Sequence, residues 1–122
     1  MILLKLLRTT IGYIIIALNA IVKPKVLKRS KSDQEKANNK SKKYILYEFY
    51  LCPFCVKVRR HLTRLNIQIE TRDAKKNETY RDELLNGGGR IKVPCLRIQT
   101  ASGYEWMYES SDINDYLSRE FG

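Results

Sequence analysis

Cys52-Pro53-Phe54-Cys55 lies between a strand-like run and a helix-like run, and this junction restricts the fold more than any other feature of the chain. Tyr44 to Tyr50 (YILYEFY) is dense in aromatic and branched residues, as a buried strand requires. Val56, Val58, Leu62 and Leu65 then recur at mostly helical spacing, with Lys57, Arg59, Arg60 and Arg64 between them. A thiol at such a junction faces the free backbone N–H groups of a helix N-terminus, which stabilise its thiolate. A second thiol one helical turn later can reach back to close a disulfide. The residues therefore point to thiol–disulfide exchange.

Charge divides the chain. Residues 1–43 carry 11 Lys/Arg against 2 Asp/Glu, a net +9, and residues 44–122 carry 12 against 11, a net +1. Nucleic-acid binding is not expected, because a binding face would interleave basic and aromatic residues on the folded domain itself. Three cysteines make no secreted disulfide framework, and a CxxC in this context favours a reducing compartment. Zinc would need four ligands, and beyond the motif only Cys95 and a lone His61 remain, so no metal is expected.

Residues 1–22 (MILLKLLRTTIGYIIIALNAIV) are largely apolar, with Lys5 and Arg8 the only charged side chains. Four readings compete: a cleaved signal peptide, an amphipathic helix lying in the interface, an uncleaved membrane anchor, and an extra helix packed on the domain, which so apolar a helix disfavours because it would need covering all round. Leu18-Asn19-Ala20 is a poor cleavage site, and Tyr13 to Leu18 is apolar all round. Length and composition favour an anchor helix over 1–22, if Lys5 and Arg8 snorkel. Lys23, Lys25, Lys28, Arg29 and Lys31 crowd its C-terminal side, which by the positive-inside rule leaves the following domain facing the cytoplasm from the cytoplasmic (inner) membrane. Residues 23–43 read as a basic flexible linker. A folded domain is expected over 44–122.

Within it, Ile67 to Thr71 alternates like a strand and Asn77 to Asn86 reads as a helix ended by Gly87-Gly88-Gly89. Val93 to Gln99 and Tyr104 to Glu109 form a hairpin across Ala101-Ser102-Gly103. Ser110 or Ser111 caps a last helix whose buried stripe is Ile113, Tyr116, Leu117 and Phe121. The expected class is α/β, in the order β-α-β-α-β-β-α, preceded by the N-terminal apolar helix.

Three elements then act together: Cys52-Pro53-Phe54-Cys55, Lys92-Val93-Pro94 and Tyr108-Glu109-Ser110-Ser111-Asp112-Ile113. With them, residues 44–122 resemble a glutaredoxin, or the thioredoxin-like N-terminal half of a glutathione transferase. The Glu-Ser step is of the transferase type; glutaredoxins more often have Gly-Gly and an acidic pair there. The resemblance implies a thioredoxin-like fold with a four-stranded mixed sheet and three helices. It implies a glutathione-dependent oxidoreductase that reduces protein–glutathione mixed disulfides or small disulfides, with glutathione as co-substrate and glutathionylated or disulfide-bearing proteins as partners. Cys52 is then the nucleophile and Cys55 the resolving thiol. Phe54, Val93, a cis Pro94, Glu109 and Ser110 would bind glutathione, and Arg90 and Lys92 would take its glycine carboxylate. Cys95 points into the core as a small hydrophobe. Two other classes stand beside this reading: a glutathione-bridged iron–sulfur scaffold or sensor, from which Pro53 and Cys55 depart, and an inactive thioredoxin-fold binding module. Conjugation is disfavoured, since no helical second domain follows Gly122.

Overall fold

The computed structural model describes residues 2–21 and 25–122. Nine elements follow one another: α1 (Ile2–Ile21), α2 (Lys31–Ser41), β1 (Tyr44–Glu48), α3 (Pro53–Arg64), β2 (Glu70–Asp73), α4 (Glu78–Gly88), β3 (Cys95–Thr100), β4 (Gly103–Tyr108) and α5 (Ser110–Phe121).

Every residue of β1 is buried, which suits its central position in the sheet order β2-β1-β3-β4. β1 pairs with β2 in parallel and with β3 antiparallel, and β3 and β4 form the antiparallel hairpin. A strand's side chains alternate between faces, so β1 supplies both cores. Tyr44 and Leu46 meet Val58, Leu62, Ile98, Ile113 and Leu117 under α3 and α5. Ile45 and Tyr47 meet Leu84, Cys95 and Trp106 under α4. The fold is thioredoxin-like, with helices on both faces of a mixed sheet and the β1–α3 junction at one end.

Strand β2 falls at Glu70–Asp73 rather than Ile67 to Thr71. Parallel pairing with β1 sets the register from Ile45↔Glu70 to Glu48↔Asp73, and leaves the apolar Ile67 and Ile69 on the approach, buried in the α3-side core. Helix α4 runs through Gly87 and Gly88 instead of stopping before them. A Cβ on Gly87 would lie 2.1 Å from Trp106 Cζ2, and one on Gly88 2.0 Å from the Tyr108 hydroxyl, so these glycines permit close packing of α4 on β4. Gly89 is the cap, at φ 89°.

The flexible linker expected at residues 23–43 does not hold over Lys31–Ser41, which forms α2. Ser30 caps it by accepting from the Asp33 N–H at 3.2 Å. Ala37 is buried in the α3-side core, Lys40 pairs with Glu120 at 2.6 Å, and Arg29 donates to the carbonyl oxygen of Phe121. A cap, one small apolar residue, an ion pair and a hydrogen bond just before it hold this helix, and none of these leaves a hydropathy pattern. The expected boundary between residues 22 and 23 lies outside the described residues.

The expected spanning anchor also needs correction. Among the described residues no helix is long and apolar enough to cross a membrane. Lys5 and Arg8 leave Thr9 to Ile21 as the uncharged part of α1, roughly 20 Å of helix against a hydrocarbon core of roughly 30 Å. Instead α1 packs against α3, with Gly12 buried and Ile15 and Ile16 half-buried, while Ile2, Leu3, Leu6, Leu7, Ile14 and Leu18 stay exposed.

Candidate functional site: a two-thiol junction beside a small cleft

Helix α3 begins at Pro53, whose missing N–H costs nothing in a first turn, and Cys52 is its N-cap residue with extended backbone (φ −72°, ψ 123°). The Cys52 side chain makes no capping bond to the helix. Cys52 is half-buried, Cys55 is fully buried, and both are free thiols. Their ionisation is strongly unequal. The Cys52 thiol is lowered to about 6, first by a hydrogen bond from the Cys55 side chain, then by the backbone N–H groups of Cys55 and Phe54 and the positive charge of Arg8, against an opposing push from burial. The Cys55 thiol is raised by that same bond, by its burial and by the negative charge of Glu48. A thiol lowered in this way is mainly thiolate at neutral pH, where an ordinary cysteine is only a few per cent ionised, and Cys55 is the proton-bearing donor to it.

The loop before the motif is braced from beneath. Glu48, buried at the end of β1, is ion-paired with Arg59 of α3. Arg59 also donates to the Tyr50 carbonyl oxygen at 2.8 Å, and its guanidinium lies 5.0 Å from the Tyr50 ring centroid. One α3 side chain therefore ties the helix to the segment that carries Cys52.

Beside the junction is a cleft of about 270 Å³ lined by Phe54, Lys57, Lys92, Val93, Pro94, Glu109, Ser110 and Ser111. The five residues expected to contact a ligand, Phe54, Val93, Pro94, Glu109 and Ser110, all lie on it. The Val93–Pro94 bond is cis. Phe54 is 62 % exposed, so it is a wall of the cleft and not part of the core. Glu109, rather than either serine, is the N-cap residue of α5, at φ 71° and without a side-chain capping bond. That conformation costs a non-glycine residue of order 1–3 kcal/mol, and such outliers concentrate where a ligand is held. It leaves the first N–H groups of α5 without a side-chain cap at the cleft, a ready partner for an anion. Lys92 is ion-paired with Glu109 and holds its carboxyl below the usual range.

Arg90 is not on the cleft. Its guanidinium lies 4.4 Å from the Tyr108 ring centroid, and its carbonyl accepts from the Tyr108 hydroxyl at 3.0 Å. Lys57 lines the cleft in its place, one turn along α3 from Phe54. That i, i+3 spacing was the available signal for Lys57; nothing local marked Glu48 or Arg59. Cys95 is fully buried among the α4-side core residues, and burial raises its thiol to about 11, so it is inert. His61 shares a 2.7 Å hydrogen bond with the Ser118 hydroxyl, tying α3 to α5. Among the described residues no three His, Cys, Asp or Glu side chains gather as metal ligands would.

The family model described as "Glutathione S-transferase, N-terminal domain" matches residues 46–122. The chain belongs to this family. The match runs from β1 to the end of α5 and so contains both thiols and the whole cleft, while α1 and α2 lie outside it. Membership puts the domain in a redox or transferase enzyme family. A crystal structure of wheat glutaredoxin is similar at 19 % identity, covering 73 % of this chain and 84 % of that one, with a TM-score of 0.49. No match was found among curated proteins.

Proposed function

We propose that this transferase-family domain is a glutathione-dependent thiol–disulfide oxidoreductase acting on protein–glutathione mixed disulfides or small disulfides. The observation that carries this reading is the half-exposed Cys52, its thiol lowered to about 6, beside the buried Cys55, its thiol raised, with Phe54 between them in the chain forming a wall of the cleft. A thiolate is the nucleophile in exchange, whereas a conjugating enzyme has no use for a second thiol.

Cys52 Sγ attacks the glutathionyl sulfur of a mixed disulfide. The bond from Cys52 to glutathione forms, the bond from glutathione to the protein breaks, and the protein thiolate leaves and takes a proton from water. A second glutathione thiolate then attacks the same glutathionyl sulfur. Oxidised glutathione departs and the Cys52 thiolate is restored. Against a protein disulfide, Cys55 closes on Cys52 instead and releases the protein. Cys55 is ready at that step because its largest restraint is the bond to the Cys52 sulfur, which no longer bears a negative charge. Two glutathiones then reduce the Cys52–Cys55 disulfide.

The cleft supports glutathione as co-substrate. The open N-terminus of α5 and the Ser110 hydroxyl suit the γ-glutamyl carboxylate, Glu109 suits its ammonium, and Lys57 suits the glycine carboxylate, while Lys92, ion-paired with Glu109, stands at the γ-glutamyl end. The main chain at Val93 suits the cysteinyl peptide unit as an added strand would. Removing one charged hydrogen bond costs about 1.5–3 kcal/mol, roughly ten- to a hundredfold. Glu109→Gln is therefore expected to raise the KM for glutathione by about tenfold or more while kcat changes little. Steady-state kinetics at varied glutathione check this, and an unchanged KM would remove Glu109 from the binding assignment.

A further inference from the structure

Helix α1 lies outside the matched domain, yet it touches the reactive loop. Gly12 is buried, and a Cβ there would come within 2.8 Å of the Leu51 carbonyl oxygen and 3.2 Å of Leu51 Cβ. Leu51 immediately precedes Cys52, so the helix backbone rests on the residue that presents the thiol. Residues three and four apart share a helix face. Ile15 and Ile16, one turn after Gly12, are half-buried on the face that meets the domain. Arg8, one turn before Gly12, lies on that same helix face, and its positive charge acts on the Cys52 thiol.

We propose that α1 is a working part of the thiol site: seated on Leu51 through Gly12, it holds Arg8 as a positioning residue whose charge stabilises the Cys52 thiolate. This rests on the reading of Cys52 as the reactive thiol. Burial opposes the thiolate, the other groups that favour it are Cys55 and the backbone N–H groups at the α3 N-terminus, and Glu48, itself paired with Arg59, acts on Cys55. Arg8 is exposed, so its effect is sensitive to salt, while the backbone N–H groups and the Cys55 bond are not screened in the same way. The role demands a glycine at 12, because any side chain there lifts the helix from Leu51.

The test is the pH profile of iodoacetamide alkylation at Cys52, read by peptide mapping on the full chain, in which the thiolate displaces iodide. Arg8→Ala is expected to slow alkylation at pH 6 about threefold and move the half-maximal pH upward, with the thermal midpoint of the domain unchanged. Arg8→Lys should retain the parent profile. Gly12→Leu should reproduce the Arg8→Ala shift although Arg8 is still present. In 1 M salt the Arg8→Ala and parent profiles should converge. An Arg8→Ala profile that superimposes on the parent overturns the proposal, as does a Gly12→Leu profile that does not move. The readout needs no glutathione: an Arg8-dependent profile without glutathione turnover sinks the proposed function alone, and an Arg8-independent profile with turnover sinks this inference alone.

Discussion

Cys52→Ser is expected to abolish turnover of a glutathionylated substrate, by on the order of a thousandfold or more, while Cys55→Ser retains it. The asymmetry follows from the junction. Cys52 is half-exposed at the open end of α3 and receives hydrogen bonds from the Cys55 side chain and two backbone N–H groups. Serine at 52 has a hydroxyl that these donors cannot ionise near neutrality. Cys55 is fully buried with its thiol raised, so it cannot substitute for the lost nucleophile. A serine at 55 can still donate to Cys52, which preserves the thiolate, and the glutathionyl intermediate on Cys52 is resolved by glutathione without Cys55. Reduction of a protein disulfide should fall in Cys55→Ser, since the intramolecular resolving step is gone. A glutathione-coupled mixed-disulfide assay on the three proteins checks the pattern. Unchanged turnover in Cys52→Ser would refute the mechanism, and equal loss in both variants would refute the one-thiol route.

The second large effect is structural. Gly87→Ala should destabilise the domain by about 1–3 kcal/mol, because its Cβ would lie 2.1 Å from Trp106 Cζ2 and 2.7 Å from Trp106 Cε2. Trp106 cannot swing away freely: its ring packs on Tyr47 at a centroid distance of 5.4 Å, and Tyr47 is fully buried in the central strand. For a domain of this size the loss corresponds to a fall in Tm of roughly 5–20 °C. β4 leads directly into Glu109, so displacing Trp106 also disturbs one rim of the cleft, and the KM for glutathione should rise in the same variant. Thermal melts of Gly87→Ala beside Gly89→Ala separate two costs. Nothing lies within 4 Å of a Cβ at Gly89, so its penalty is the positive φ alone. A Gly87→Ala melt matching that of the parent protein would show that α4 can move off β4 without loss.

The order of strands and helices from Tyr44 onward was legible because each buried element has its own period: the dense apolar run of β1, the stripe of α3, and Ile113, Leu117 and Phe121 on α5. The residues of the cleft, Lys57 apart, were legible as three separated motifs, and the fold is what brings them to one cleft. What the sequence concealed depends on tertiary contacts. Helix α2 has almost no apolar residues and is held by a cap and by the chain's own C-terminal turn. The glycine triplet looked like a stop, because the tight approach of Trp106 and Tyr108 to Gly87 and Gly88 exists only once α4 is laid on β4. Residues 1–22 read as an anchor from hydropathy alone, which is blind to a glycine that fits against Leu51. Glu109 was legible as a residue of the cleft but not as the cap residue of α5, since its positive φ contradicts its type.

Titration of Cys52 in the folded parent protein, by the pH dependence of thiolate absorbance or of its alkylation rate, is the most direct test. The sign is that of an acid whose folded value is depressed: reactivity appears as pH rises through about 6 and is level by pH 8. A midpoint at or above that of a free cysteine, roughly 8.5, would contradict the account, because the groups converging on that sulfur would then confer no preference for its ionised form.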